Sequence, residues 1–445
     1  MKTVLLLVLL ITSHASAQDG FSLADETRHE TFAFQLINNL IFIPITVNGV
    51  ELTFLVDTGV AETLLFSLED KELKLADSER VKFSGWGGNL EIEGLKSVNN
   101  RVQIGKSLLD PGHTIFVILN EEFNFSSHVG IPVNGIIGYH FFRNHQIKID
   151  YSTKKITVFG SGKGKKARGK SFTEIPISLE LNKPYVIAGV ELLSTRSESK
   201  LLVDLGNSDP LWLFAATIDG FQYPAPNIDD FLGRGFNGDI FGKRSRIHRL
   251  YLNKFTFEKP LAALPDAESA QHLTLVPDRK GSLGGEILRR FTIILDYPGS
   301  RMYLKRNRSF NDAFHLNMSG LEIKHDGMSW GREFVKVENP SPRHSAAATG
   351  YAATTNEFRY KFTLKPDYSV SGIRVYSPAY RAGLLKGDKL LKINNRSAGE
   401  MNLEQIMQLM RSEPGKKITV EILRQEQKLK MSFYLEDPVP YTEQE

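Results

Sequence analysis

Apolar and polar positions alternate with a period near two over much of this chain. "IPITVNGVELTFLVD" (43–57) places Asn48-Gly49 between two apolar runs, and that dipeptide predicts a β-hairpin with a two-residue turn. "HQIKIDYSTKKITVF" (145–159) alternates on both arms and predicts a second hairpin. The stretch from Gly138 to Asn144 leaves room for only a short helix.

The pattern then repeats. "TFLVDTGVAETLLF" (53–66) and "VNGIIGYHFFRNHQIKIDYSTKKITVF" (133–159) are answered by "KLLVDLGNSDPLWLF" (200–214) and "KGSLGGEILRRFTIILDYPGSRMYL" (280–304). Asp57 to Asp204 is an offset of 147, and Ile136-Ile137-Gly138 maps onto Leu283-Gly284-Gly285 at the same offset. Asp150-Tyr151 maps onto Asp296-Tyr297 at 146. "SGWGGNLEIEGL" (84–95) and "GRGFNGDIFGKR" (233–244) extend the match. Ordered matches at nearly one offset indicate two β-rich lobes, 31–160 and 173–306. The Gly-interrupted basic stretch 161–172 between them reads as a linker.

From about Leu316 the pattern changes. "NLEQIMQLMRSEPG" (402–415) predicts an amphipathic helix with Asn402 as cap, Gln405 at the capping-box position and Pro414-Gly415 as the stop. Leu403, Ile406, Met407 and Met410 fall on one face. "FRYKFTLKP" (358–366) alternates like a strand, and "SPRHSAAATGYAATT" (341–355) reads as flexible.

Composition narrows the classes. The 445 residues are 41% hydrophobic and 24% charged, with net charge +4, ordinary for a soluble multi-domain protein. Five of the basic residues lie in 160–170 with no aromatic among them, so a solvated linker is favoured over a nucleic-acid surface. Lys2, the short apolar run 3–12 and Ala15-Ser16-Ala17 form a signal peptide over 1–17, with cleavage expected after Ala17. Export to periplasm or exterior follows, with no integral membrane segment left after cleavage. Cysteine is absent, which removes disulfides, thiolate zinc sites and a cysteine nucleophile. The 11 His show no H-E-x-x-H spacing, so no metal is expected, and no G-x-S-x-G elbow of a serine nucleophile occurs. The sequons at Asn124, Asn307, Asn317 and Asn395 are read as chance matches.

The chemistry concentrates at "VDTG". An apolar strand delivers Asp57 into a turn where Gly59 permits close approach and the Thr58 hydroxyl can lock the backbone. Alone, a buried Asp tends to stay protonated. Facing a second Asp it shares one proton, and the pair can activate a water and polarise a carbonyl. The repeat supplies Asp204, followed by Gly206. A purely structural Asp, bonded to backbone N–H groups of its own turn, is the competing reading of the tetrapeptide.

These residues resemble the aspartic proteases, over roughly 31–306. "VDTG" after an apolar strand, with "IIG" (136–138) downstream, carries the resemblance. It implies an all-β, two-lobed acid-protease-like fold with catalytic Asp57 and Asp204, turn support from Thr58, Gly59 and Gly206, and a flap containing Gly85, Trp86, Gly87 and Gly88. Two departures stand out. Leu205 replaces the second turn threonine, so half of the family's inter-turn lock is missing. Val60 stands where pepsin-type enzymes carry a hydroxyl, as in the retroviral type, and implies an optimum nearer neutral. "SGIRVYSPAYRAGLLKGDKLLKINNRS" (371–397) resembles the core of an α+β PDZ domain, here 316–436. In that family a strand and helix form a peptide groove, with Gly320, Leu321 and Ile323 the candidate peptide-binding loop; Glu322 departs from the usual Gly there. The resemblance therefore implies a monomeric aspartic endopeptidase acting on peptide or protein substrates, with water as the nucleophile and no cofactor; the signal peptide adds export, and the composition gives no nucleic-acid partner. A homodimeric retropepsin-type enzyme using lobe one alone, and a catalytically silent peptide-binding protein, are the alternatives that Leu205 leaves open.

Overall fold

The computed structural model describes residues 20–24, 29–83, 92–120, 123–160, 169, 171–193, 195–235, 238–270, 276–336 and 358–440. The described residues form four sheets: one in each lobe, one shared between the lobes, and one in the C-terminal unit. The expected signal segment 1–17, most of the expected basic linker and the stretch 341–355 lie outside them.

In lobe one the strands Leu40–Val47 and Val50–Val56 pair antiparallel around Asn48-Gly49. Those two residues have φ of 47° and 89°, the left-handed pair that a tight hairpin turn requires. The second strand ends at Val56, so Asp57 opens a turn. The short strand Gly135–Ile137 runs parallel beside it, with Ile137 opposite Val56. The Asp57 N–H donates to the Ile137 carbonyl at 3.0 Å.

Lobe two is built the same way. Arg196–Val203 lies parallel to Arg279–Leu283, with Val203 opposite Leu283, and the Asp204 N–H donates to the Leu283 carbonyl at 2.9 Å. This pairing corrects the repeat. Ile137 corresponds to Leu283 and Gly138 to Gly284, so the second element is offset by 146, not 147. Lobe one carries one extra residue between its Asp turn and this strand. Helical turns follow at Tyr139–Phe142 and Gly285–Leu288.

A six-stranded sheet joins the lobes. Gln146–Asp150 pairs with Phe291–Asp296, bringing Ile147 opposite Leu295 and Ile149 opposite Ile293. All four are fully buried in one core that runs through both lobes. Each such side chain contributes about 1.5–3 kcal/mol when buried, so the lobes cannot part without exposing shared core. Asp150 and Asp296 serve this sheet as turn acceptors. Asp150 accepts the Ser152 and Thr153 N–H groups, and Asp296 accepts that of Gly299. Lobe one also starts earlier than residue 31: Ser22–Leu23 pairs with Leu108–Leu109, and His29–Ala33 joins the shared sheet.

The C-terminal unit is a six-stranded sheet with the helix Leu403–Met410. The alternating stretch 358–366 lies in a long ribbon, Leu321–Lys336 paired with Phe358–Ile373. Asn402 and Gln405 form the reciprocal capping box, at 2.8 and 3.0 Å. Leu403, Ile406 and Met410 are buried, but Met407 is only half-buried. It packs against the edge of the domain core and also lines a cavity.

This unit docks on both lobes. The Glu404 carboxylate accepts the Asn38 N–H at 2.9 Å, and Leu403 packs directly on Gly130 of lobe one. On lobe two, Arg374 lies 3.5 Å from Asp230. Arg246 donates to the Phe314 and Val439 carbonyls and pairs with Asp437 at 3.1 Å.

Candidate active site

The two equivalent turns meet at the centre of the shared framework. Oδ1 of Asp57 and Oδ1 of Asp204 lie 3.0 and 3.2 Å from the same point, the position a Cβ on Gly59 would take. A Cβ on Gly206 would fall 2.3 Å from the Asp57 Cγ, so only glycine lets the second turn approach the first carboxylate. The turns also hold their own acids: Gly59 N–H donates to Asp57 at 2.6 Å and Gly206 N–H to Asp204 at 3.1 Å.

Thr58 ties the turns together. Its hydroxyl donates to the Val203 carbonyl at 2.5 Å and accepts the Leu205 N–H at 3.0 Å. Leu205 has no hydroxyl to return the contact. Its side chain is buried in the common core, so packing stands where a second hydroxyl lock was expected. Val60 is buried too, in an apolar cluster with Phe42, Leu64 and Ile136.

Burial, and then the charge of Asp204, push the Asp57 carboxyl up to about 7. Burial also raises Asp204, but Arg279, the Gly206 N–H and Ser282 pull it back. Arg279 donates to the Ser282 hydroxyl at 2.9 Å and to the Gly281 carbonyl at 3.1 Å, with its guanidinium 5.2 Å above the Phe214 ring. Lys183 lines the same cavity, and burial together with Arg279 holds its ammonium below the ordinary range. Arg279, Ser282 and Lys183 were not singled out in the sequence. A signal existed: the 146 offset puts Ser282 where lobe one has apolar Ile136, a polar residue breaking an otherwise apolar strand.

Both aspartates open on a cavity of about 1250 Å³. Its lobe-one wall is apolar and aromatic, with Phe66, Phe116, Phe123, Phe125 and Ile136. Among the described residues no group of three or more His, Cys, Asp or Glu could hold a metal ion. The strands Ser78–Phe83 and Ile92–Ile104 of the expected flap hairpin are in place. Its tip, with Gly85, Trp86, Gly87 and Gly88, lies outside the described residues.

Residues 43–141 match the family model described as aspartyl protease, and residues 370–424 match that of the PDZ domain. The chain carries an aspartyl protease domain and a PDZ domain. The mostly β, two-lobed architecture and the paired turns agree with that reading. No curated protein matches the chain. Among solved structures, the aspartic proteinase from Irpex lacteus is 15% identical, with 64% of this chain and 99% of that one covered and a TM-score of 0.43. The basic 7S globulin from soybean is 10% identical, with 64% and 97% covered and a TM-score of 0.38. At those scores neither likeness adds weight to the family matches.

In the PDZ domain, the loop expected to hold a peptide end is already satisfied from within. Asn317 Oδ1 accepts the Ser319 N–H, the Ser319 hydroxyl and the Gly320 N–H, at 3.1, 2.7 and 3.2 Å. The Leu321 N–H donates to Ser319 Oγ at 3.0 Å. Gly320 has φ of 78°, and the side chains of Leu321 and Ile323 are buried in the domain core. Glu322 lines the cavity that holds the two aspartates, and burial pushes its carboxyl up to about 7.

Proposed function

We propose that this chain is an exported aspartic endopeptidase that hydrolyses peptide bonds with water activated between Asp57 and Asp204. The observation that carries the reading is the meeting of the two glycine turns, with both carboxyls raised above their ordinary range and Thr58 spanning from one turn to the other. Two acids so placed cannot both ionise cheaply, and the pair holds one proton over a range of pH.

Arg279 and Ser282 favour the ionised form on Asp204, while Asp57 keeps its proton toward neutrality. Asp204 then takes a proton from water as its oxygen attacks the scissile carbonyl carbon. Asp57 gives its proton to the carbonyl oxygen. The tetrahedral diol collapses as its C–N bond breaks, the proton on Asp204 passes to the leaving nitrogen, and a proton from the diol returns to Asp57. No cofactor enters this sequence. The aromatic lobe-one wall favours apolar side chains beside the scissile bond. Export rests on the N-terminal segment Met1–Ala17.

A lobe-one homodimer is disfavoured because Thr58 already bonds to the second turn of its own chain. The test is cleavage of a mixed peptide library by the wild-type protein and by Asp57→Asn and Asp204→Asn, with the mass in solution measured alongside. Cleavage by a wild-type monomer, lost in both variants, supports the reading. Full activity in Asp204→Asn overturns it.

A further inference from the structure

Strand pairing matches the two lobes position by position, so their walls around the aspartates can be compared residue for residue. Leu40 and Lys183 each begin the second strand of a tight hairpin. Ile37 lies opposite Leu40 across the turn Asn38-Asn39, and Glu180 lies opposite Lys183 across Leu181-Asn182. The four turn residues have φ of 49°, 66°, 49° and 62°. Two positions further on, Phe42 pairs with Leu55 and Tyr185 with Leu202, on the strands that lead into Asp57 and Asp204. Lys183 is therefore the lobe-two counterpart of Leu40. By the offset of 146, Ser282 is the counterpart of Ile136 and Arg279 that of the buried Val133.

The matched positions differ in chemistry. Lobe one gives the cavity Leu40, Leu55 and Ile136, and lobe two gives it Lys183, Leu202 and Ser282. One wall is apolar throughout, while the other carries a hydroxyl and an ammonium. Arg279 is already engaged by the Ser282 hydroxyl, the Gly281 carbonyl and the Phe214 ring. Lys183 is not. It is half-buried, and among the described residues its ammonium has no hydrogen-bond or ion-pair partner. Its charge acts on Asp57 and Asp204 through space. A cation drawn partly out of water without a partner is unfavourable, and the cavity is where a partner can enter. The charges around the dyad are also unbalanced. Two aspartates sharing one proton carry one negative charge, against the two positive charges of Lys183 and Arg279. One added carboxylate closes the difference.

We propose that Lys183 selects an acidic side chain, Asp or Glu, in the substrate residue on one side of the scissile bond, while the wall of Leu40, Leu55 and Ile136 takes an apolar side chain on the other. The ammonium donates to the substrate carboxylate and takes no part in the proton transfers. A lysine is a compact charge on a flexible stem, so carboxylates of either length are within its reach. Such a charge-assisted contact in a partly desolvated site discriminates against the neutral amide. This inference rests on the peptidase reading for the place of the cleaved bond, but its binding arm does not.

The test uses an octapeptide selected from a random library for binding to Asp57→Asn, remade with Leu, Gln, Glu or Lys at each position in turn. At one position Glu is expected to bind Asp57→Asn at least tenfold more tightly than Gln. The wild type is expected to cleave the bond beside that position, with kcat/KM for Glu over Gln raised by a similar factor. Adding Lys183→Met is expected to bring the ratio below twofold, and adding Lys183→Glu to make Lys the preferred residue there. No position that favours Glu over Gln, a preference that survives Lys183→Met, or a preferred position away from the cleaved bond overturns the proposal. If the wild type cleaves nothing, the peptidase reading fails while the binding ratios still decide whether Lys183 selects an acid.

Discussion

The Thr58 hydroxyl crosses from one lobe to the other and accepts the backbone N–H of Leu205 at 3.0 Å while donating to Val203. One side chain thus satisfies two buried backbone groups of the opposite turn. Thr58→Val keeps the shape and removes both bonds. An unpaired buried group costs about 1–3 kcal/mol, so denaturant unfolding is expected to show a loss in that range or somewhat above. Peptidase activity is expected to fall more than tenfold as the turns loosen. A variant as stable and as active as wild type would show that packing around Leu205 holds the turns by itself.

Protonation should stabilise the folded chain. Asp57 is raised from an ordinary value of 3.8 to about 7, and Glu322 from 4.5 to about 7. Between those limits the folded state binds more protons than the unfolded one, so stability falls as pH rises. The contribution is complete below about pH 4 and is lost as pH climbs through 7. Melting temperatures across pH 4–8 check this. Asp57→Asn and Glu322→Gln should each flatten the slope.

Activity should follow the singly protonated pair, with an alkaline limb near pH 7 set by Asp57. Ser282→Ala removes a hydrogen bond to ionised Asp204, and Arg279→Gln removes a nearby positive charge. Each change raises the Asp204 pKa. A hydrogen bond to a charged group contributes about 1.5–3 kcal/mol, and one unit corresponds to about 1.4 kcal/mol. The acidic limb of kcat/KM is therefore expected to move up by about one unit in Ser282→Ala. Profiles that superimpose on wild type would remove Ser282 and Arg279 from the account.

Arg246 fastens the C-terminal unit to lobe two through Phe314, Asp437 and Val439. Arg246→Met leaves those acceptors unpaired and is expected to cost about 1.5–3 kcal/mol of docking. Hydrogen exchange should quicken in 314–320 and 435–440 while the shared sheet stays protected.

Much of this was legible in the sequence because it depends on local pattern. Asn48-Gly49 announced its hairpin, Asn402 and Gln405 their cap, and "VDTG" its turn. The repeat located Asp204 because duplicated turns keep their spacing. What was hidden depends on contacts between distant segments. The one-residue slip at Gly284 is set by parallel pairing with Val203. Ser282 and Arg279 reach Asp204 only after lobe two closes. Met407 has the spacing of a core residue and does pack on the PDZ core, but only the docking of that domain on two lobes also makes it part of the cavity wall. Asn317, whose sequon was read as a chance match, fills the loop that Gly320 was expected to open.

The central claim is that one chain holds the whole site. It is tested most directly by mixing Asp57→Asn with Asp204→Asn in equal amounts and measuring peptide cleavage beside the wild type over a wide concentration range. The account predicts that the wild type cleaves with a rate per chain independent of concentration, and that the mixture stays as inactive as either variant alone. Activity recovered on mixing, or a wild type that cleaves only as it dimerises, would contradict it.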